Sequence, residues 1–170
     1  MKERGPVLVV APQPFFSPRG TPFSVYYRTL VTAEKGLAAD ILTYGQGEDT
    51  AIPNTRILRI PALRFLGSVR IGPSPLKFLL DGLLFLRMIG ALLRRRYRLV
   101  HAHEEAVFLA LLLRPFFRYR LVYDMHSSLP QQMTNFRFTR SRFWIGLLER
   151  WETAALRRAD GVITICPELA

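Results

Sequence analysis

The feature that most constrains the fold of this chain is a regular alternation between short apolar runs and longer helical patterns. The apolar runs are four to seven residues long and end at glycine, proline or polar residues. Such runs are typical of strands buried in a parallel sheet, and the segments between them are typical of crossover helices. The alternation predicts an α/β fold with a doubly wound parallel sheet. The predicted strands are Val7–Ala11, Ala39–Tyr44, Arg56–Ile60, Leu99–His103, Arg120–Met125 and Gly161–Cys166.

The predicted helices carry signals at their ends. Thr21 is a candidate N-cap that precedes Pro22 at the first helical position, and Gly36 is a stop signal for the same helix. Pro115 is predicted to end the third helix. The predicted helices are Pro22–Lys35, Leu76–Arg95, Glu104–Arg114 and Ser141–Arg158, and His126–Asn135 is predicted to be a polar loop.

Length and composition place the chain among intracellular globular proteins. Its 170 residues suffice for one domain, which we assign to residues 1–170. A single cysteine, Cys166, excludes an intrachain disulfide and favours a reducing compartment. The sequence shows neither a signal peptide nor an uncharged apolar stretch long enough to span a membrane. These features predict a cytoplasmic location.

Positive charge is concentrated in the middle third of the chain. Residues 56–120 contain 12 arginines and one lysine against three acidic residues, which accounts for most of the formal net charge of +11. Such a segment suits an anionic partner: a membrane surface, a phosphorylated substrate or a nucleic acid. Because no helix-turn-helix or basic-aromatic motif accompanies it, no nucleic-acid partner is expected.

The residues that follow the predicted strands form the candidate site, because ligands of open α/β sheets bind beyond the carboxyl ends of the strands. Gly20 precedes the first helix, where a glycine permits close backbone approach and free N–H groups can hold a phosphate or carboxylate. The alternative is a turn glycine without a ligand. No Gly-x-Gly-x-x-Gly or P-loop pattern is present, so an ordinary dinucleotide or P-loop site is not expected.

Histidines follow or end two neighbouring strands. His101 and His103 share one face of their strand, as a metal pair would, but no third ligand lies at metal-like spacing. We therefore expect one of them to line the crevice and the other to pack, with no metal. His126 lies where a strand gives way to a polar loop, and an imidazole there can donate to a substrate oxygen. The alternative is a histidine that the backbone satisfies.

Four segments together carry a family resemblance. A strand, a proline-rich loop, a glycine and a helix occupy Val7–Leu30, and a His-x-His-Glu segment ends at Glu104. The segment Val122–Ser127 matches a strand that is followed by a histidine. The segment Arg158–Cys166 matches an Ala-Asp-x-Val-Ile ending. The chain resembles the N-terminal domain of family 4 glycosyltransferases, which are retaining, metal-independent enzymes of the two-domain GT-B architecture, each domain Rossmann-like.

The resemblance implies roles for individual residues. Gly20, with Arg19 and Thr21 beside it, would approach the diphosphate of a nucleotide-sugar donor. His126 would contact the donor sugar and assist the transition state. The implied acceptor-side residues are His103, Glu104 and Ser127. Because the family often has paired glycines where this chain has Arg19-Gly20, Arg19 would either add a phosphate contact or block the usual approach.

The resemblance also implies partners. The family's second domain, which holds most nucleotide contacts, is absent from these 170 residues, so catalysis is expected to need it in cis or in trans. The chain is similar to membrane-associated members of the family, such as phosphatidylinositol mannosyltransferases. This similarity implies that the chain makes peripheral contact with an anionic membrane, on the cytoplasmic side of that membrane. The implied acceptor is lipid-linked or a carbohydrate. The alternative reading is a non-catalytic binding module or a split half-enzyme that requires a partner chain. The implied membrane-contact residues are Arg64, Phe65, Leu66, Arg70 and Lys77.

Overall fold

All six predicted strands form, and they pair in one parallel sheet. The computed structural model describes residues 5–17, 20–62, 74–135 and 141–166. The sheet order is β3-β2-β1-β4-β5-β6, so the chain builds outward from β1 in one direction and then returns to build in the other. This confirms the doubly wound α/β prediction. The elements are β1 (Val7–Ala11), α1 (Gly20–Glu34), β2 (Ala39–Thr43), β3 (Thr55–Arg59), α2 (Pro75–Arg94), β4 (Leu99–His103), α3 (Ala106–Phe117), β5 (Arg120–Met125), α4 (Leu129–Asn135), α5 (Arg142–Arg158) and β6 (Gly161–Thr164).

The core lies on both faces of the sheet. Every residue of β1 and β2 is buried. The unbroken apolar run of β1 predicts this, whereas β2 also buries Asp40 and Thr43. One face packs against α1 through Val25 and Ala33. The opposite face packs mainly against α2 and α3, and Leu84, Met88 and Ala110 are among the fully buried residues there. Two helical layers therefore enclose the sheet.

The third helix differs from its prediction at both ends. It begins at Ala106 because Glu104, where it was predicted to start, has a φ of 49° and cannot be part of a right-handed helix. It continues through Pro115 to Phe117 and ends where Arg118 adopts a φ of 45°. A proline in the last turn removes only one backbone hydrogen bond, so the final residues of the helix tolerate it.

A short helix, α4, occupies most of the segment that was predicted to be a polar loop. The buried carboxylate of Glu152 in α5 organises its start: it accepts hydrogen bonds from Ser128 Oγ and from the backbone N–H of Leu129, each at 2.8 Å. These contacts satisfy groups at the helix N-terminus, which otherwise lack partners. Because the carboxylate comes from 23 residues further along the chain, the local sequence gives no sign of it.

A contact between two loops fixes the path of the chain between β1 and α1. Phe15 forms an isolated parallel bridge with Gly47, and its ring is fully buried. Gly47 has a φ of 104°, and a Cβ atom added to it would lie 2.0 Å from the carbonyl oxygen of Phe15. Only glycine fits this position without displacing the backbone. The loop before α1 is therefore held against the end of β2.

Many of the cations in the basic middle third have structural partners. Arg56 and Arg95 both bind the buried carboxylate of Asp40, with closest distances of 2.7 and 3.1 Å. Arg59 pairs with Asp49, and Arg114 pairs with Asp160. The bidentate contacts from Arg56 are of the strong, charge-assisted kind. A part of the basic charge thus serves the fold rather than an external anion.

Candidate functional site

The candidate site lies at the carboxyl edge of the sheet, where the direction of strand addition reverses between β1 and β4. Ligands of open α/β sheets bind in the crevice at this point. His103 ends β4, and Asp124 lies beside it near the end of β5, in register. The backbone N–H of Glu104 donates to the carbonyl oxygen of Asp124 at 3.0 Å, which joins the two strand ends.

A buried carboxylate stands at the centre of this edge. Asp124 is fully buried, and its Oδ2 atom lies 2.9 Å from His101 Nε2 and 3.4 Å from His103 Nδ1. Its Oδ1 atom lies 3.2 Å from Nε2 of His126. Three imidazoles, two from β4 and one from the loop after β5, therefore converge on one acidic group. We call these four residues the Asp124 cluster.

A permanent cation completes the surroundings of the Asp124 carboxylate. Arg28 of α1 places its Nε atom 3.2 Å from Oδ2. Burial opposes ionisation of Asp124, but the imidazoles of His101 and His126 outweigh it and hold the pKa of this carboxyl far below its usual range. Asp124 is thus a fixed negative charge at any physiological pH, able to orient the imidazoles around it.

His103 lies in the interior of the cluster. Its side chain has no exposed surface, and its ring stacks on that of His101 with a centroid distance of 4.6 Å. Burial lowers the pKa of His103 well below the usual value, and the neighbouring His101 adds to this shift, so the imidazole is neutral. A fully buried ring offers no surface to an acceptor. We therefore narrow the predicted acceptor-side role of His103 to packing and orienting its neighbours.

Glu104 occupies a strained turn next to the cluster. Its φ of 49° is uncommon for a residue with a side chain, and such conformations concentrate at functional sites. Burial and the neighbouring charge of Glu105 raise the pKa of the Glu104 carboxyl to about 6. A carboxyl group with this pKa can exchange a proton near neutral pH. Glu104 is therefore able to donate or accept a proton at the site.

A second group of charges lies at the first turns of α2. Lys77 pairs with Glu105, donates a hydrogen bond to the carbonyl oxygen of Pro12 at 3.0 Å and is 18% exposed. This corrects its prediction as a membrane contact, because an ammonium group held by interior partners is not presented to a lipid surface. Asp81, which accepts a hydrogen bond from the hydroxyl of Tyr44, has a pKa raised by burial to about 6.

Some of the remaining predicted site residues lie within the described part of the chain, and others lie outside it. Gly20 is exposed at the first turn of α1, Thr21 follows it, and Ser127 is half-buried after His126. Within the described part of the chain, a Cβ atom at Gly20 would meet no atom of another element within 4 Å, so packing against these residues does not require glycine there. Arg19, Arg64, Phe65, Leu66 and Arg70 lie outside the described residues. Among the described helices, none combines the length and apolarity that crossing a bilayer would require.

Sequence reasoning did not select three residues that build the site. Asp124 lies within the segment Val122–Ser127 without a predicted role, although a carboxylate two residues before a strand-end histidine is a usable signal. Arg28 and Glu152 gave no local signal, because each lies inside an amphipathic helix and reaches its partner through the fold. Glu152 fixes the loop that follows His126 through Ser128.

The Asp124 cluster also has the composition of a metal site. Ligand atoms of His101, His103 and Asp124 lie within 4.8 Å of one another, so the structure supplies the third group that the sequence spacing did not. Two imidazoles and a carboxylate suit zinc or a similar ion. The guanidinium of Arg28 already neutralises the same carboxylate oxygen, however, and would repel a divalent cation. The positive charge of Arg28 thus offsets the negative charge of Asp124 without a metal ion.

Comparison with solved structures identifies the same fold in glycosyltransferases. The chain matches sucrose-phosphate synthase from Thermosynechococcus elongatus with a TM-score of 0.68 and 20% identity, over 98% of this chain and 43% of that one. It matches LpCGTa in complex with UDP with a TM-score of 0.59 and 15% identity, over 96% and 46% of the two chains. It matches Arabidopsis thaliana UGT89C1 complexed with UDP with a TM-score of 0.52 and 13% identity, over 94% and 44%.

The chain therefore has the fold of the N-terminal half of a GT-B glycosyltransferase and spans less than half the length of each of these proteins. A comparison with curated proteins gave no match. The model of the glycosyl transferase 4-like domain matches residues 27–170, which include β4, β5 and the whole Asp124 cluster. On this match, the chain belongs to the glycosyl transferase 4-like domain family.

Proposed function

We propose that this chain is the acceptor-side half of a retaining glycosyltransferase that moves a sugar from a nucleotide-sugar donor to an acceptor hydroxyl. The observation that carries the proposal is the contact of His126 Nε2 with the ionised carboxylate of Asp124, 3.2 Å away, at the reversal point of the sheet. Glu104 lies beside it, because its backbone N–H binds the carbonyl oxygen of Asp124. This edge combines a charge-oriented imidazole with a carboxyl of raised pKa. Membership of the glycosyl transferase 4-like family supplies the reaction class.

The donor would bind with its diphosphate toward the start of α1. The first N–H groups of a helix lack intrahelical partners and favour an anion, and Gly20 and Thr21 provide such groups here. Arg28 stands two turns further along the same helix, about 12 Å away along the axis, where it meets Asp124. Two of the similar structures hold UDP, which favours a nucleoside diphosphate as the leaving group.

In the proposed reaction the acceptor oxygen attacks the anomeric carbon on the face from which the diphosphate leaves. The bond from the anomeric carbon to the diphosphate oxygen breaks, the bond to the acceptor oxygen forms, and the acceptor proton passes to the leaving diphosphate. His126, oriented by Asp124, would donate a hydrogen bond to a hydroxyl oxygen of the donor sugar and hold the sugar in the reactive position. Glu104 and Ser127 would hold the acceptor hydroxyl.

The proposal includes a second domain and a place of action. The domain would supply the remaining nucleotide contacts, in cis or in trans, and the chain without it would turn over little donor. No resident metal or other cofactor takes part in the proposed reaction. We further propose that the protein works on the cytoplasmic side of an anionic membrane, with Arg64, Phe65, Leu66 and Arg70 as the contact residues, on a lipid-linked or carbohydrate acceptor.

The test is the release of nucleoside diphosphate from a panel of nucleotide sugars, measured with the protein at its natural length and with this chain alone. We expect release only when a second domain is present, and the product should keep the anomeric configuration of the donor. Inversion of configuration in the product would overturn the retaining mechanism. Release by neither preparation, with donor binding intact, would favour the non-catalytic module.

A further inference from the structure

A cavity of about 200 Å³ lies among four helices on the face of the sheet that carries α2. Its walls come from α2, α3, α4 and α5, and almost all of its surface is apolar. The rings of Phe108 and Trp151, 6.2 Å apart, form one side of it. A buried apolar cavity of about 150 Å³ is known to accommodate benzene, so this volume suffices for a ring or a short alkyl chain. The apolar lining residues are Phe78, Phe108, Leu109, Met133, Leu148 and Trp151, together with Leu129.

The cavity has one polar end, and that end faces the candidate site. Lys77, Asp81 and Glu105 are its charged lining residues. Glu105 directly follows Glu104 in the chain, and Lys77 binds the carbonyl oxygen of Pro12, the residue immediately after β1. The polar end is thus tied to the carboxyl ends of both β1 and β4, between which the strand order reverses.

The cavity also reaches the protein surface. Phe78 is 57% exposed and Trp151 is 53% exposed, although both line the cavity. Aromatic side chains that are half in solvent and half in a cavity wall mark an entrance for an apolar group. A purely polar ligand, such as a free sugar, would leave its hydroxyl groups without partners against these walls.

We propose that this cavity binds the apolar part of the glycosyl acceptor, so that the acceptor is a small amphiphile with a hydroxylated head and an alkyl chain or ring. The head would lie at the charged end, beside Glu104 and Glu105, and the apolar part would fill the space between α3 and α5. The identification of the bound amphiphile as the acceptor rests on the proposed function. The binding of an amphiphile to the cavity can be tested without any catalysis.

The two tryptophans of the chain, Trp144 and Trp151, make a direct test available. In a Trp144→Phe background, Trp151 is the sole tryptophan and reports from the cavity wall. We expect n-octyl-β-D-glucoside, added below its critical micelle concentration, to change this emission with saturation. Glucose, which has the same head but no chain, should leave the emission unchanged. An equal response to both, or to neither, would overturn the proposal.

Two substitutions on α3 separate the cavity from the general surface. Leu109→Phe adds a ring to a lining residue and should weaken the octyl glucoside response at least tenfold. Leu112→Phe adds the same ring to a residue that is 63% exposed and does not line the cavity, so its response should stay within twofold. Circular dichroism verifies that both variants fold. Equal responses in the two variants would show surface adsorption and refute the cavity site.

The same ligands distinguish this proposal from the function on which it rests. If octyl glucoside binds as described but the natural-length protein releases no nucleoside diphosphate from any donor, the cavity stands and the transferase proposal fails. If the protein transfers sugar to glucose as efficiently as to octyl glucoside, the transferase proposal stands and the amphiphilic acceptor fails.

Discussion

The guanidinium Nε of Arg28 lies 3.2 Å from Oδ2 of Asp124, so a helix on one side of the sheet is joined to a strand end near the reversal point. The carboxylate is fully buried, while the arginine side chain is 28% exposed. Three imidazoles surround the same carboxylate, but only the arginine carries a charge that does not depend on pH. The ion pair therefore fixes the electrostatics of the whole cluster.

Removing this cation should destabilise the protein. We expect Arg28→Ala to lower the free energy of unfolding by about 2 kcal/mol, because Asp124 keeps its charge and loses a charge-assisted partner. Urea unfolding near pH 7 measures the change. Arg87→Ala, at an exposed arginine of α2, is the matched control and should stay within about 0.5 kcal/mol of the wild type. Equal effects of the two substitutions would show that the Arg28 contact contributes nothing.

The proposed role of His126 predicts a loss of turnover without a comparable loss of stability. We expect His126→Ala in the natural-length protein to lower kcat about 10²-fold, since a misplacement of the donor sugar by about 1 Å can cost that much. Steady-state kinetics measure the effect, and thermal unfolding measures the stability of the same preparation. Thr153→Ala, at an exposed position of α5, should change neither quantity. A His126→Ala enzyme with unchanged kcat would remove the residue from the proposed mechanism.

Burial of His103 predicts a stability that falls in mild acid. Its pKa is lowered in the folded state, so below about pH 6.5 the unfolded chain binds a proton that the native protein does not. Its contribution to stability is thus complete above pH 6.5 and is lost as the pH falls. One proton changes the unfolding equilibrium constant by up to tenfold per pH unit.

The measurement is urea unfolding of the wild type and of His103→Asn at pH values between 5 and 7.5. The difference in stability between the two should shrink toward pH 5. Glu104 and Asp81, whose pKa values are raised to about 6, act in the opposite sense: they favour folding in acid, and this contribution is lost as the pH rises through 6. Because both proteins retain these two acids, their effect cancels in the difference. Parallel curves would mean that His103 binds a proton equally in the native and unfolded states, which would contradict this prediction.

The electrostatic balance of the Asp124 cluster predicts that the protein needs no metal. We expect sugar transfer to be unchanged within about twofold by excess EDTA, because the guanidinium of Arg28, already paired with the Asp124 carboxylate, would repel a divalent cation there. Elemental analysis of the purified chain should find far less than one equivalent of zinc. One equivalent of zinc that disappears in His101→Ala would contradict this prediction and identify a metal centre.

The sheet was predictable because the signals for it are local. The bounds of β1, β4 and β5 agree with their predictions residue for residue, since each is a short segment rich in apolar residues that gives way to proline or polar residues. The strand order follows from the doubly wound rule once the elements are known. The errors fall where a distant group overrides local preference, as when Glu152 organises α4 from another helix.

The candidate site was predictable only in part, for the same reason. Histidines at strand ends are visible in a sequence, because the carboxyl ends of parallel strands meet at one edge. That His101, His103 and His126 share a single buried carboxylate is visible only in three dimensions. Lys77 illustrates the converse error: a basic residue in a basic segment suggested an external anion, whereas the fold supplies Glu105 as its partner.

The bridge between Phe15 and Gly47 has a consequence for how this sequence can vary. The contact is made by backbone atoms, so no compensating change in a neighbouring side chain can restore it. In a library that randomises residues 45–49, we expect positions 46, 48 and 49 to tolerate many residues, whereas position 47 should return glycine alone among folded variants. The entrance to the proposed donor site would then owe its shape to the absence of one methyl group, more than 20 residues from Gly20.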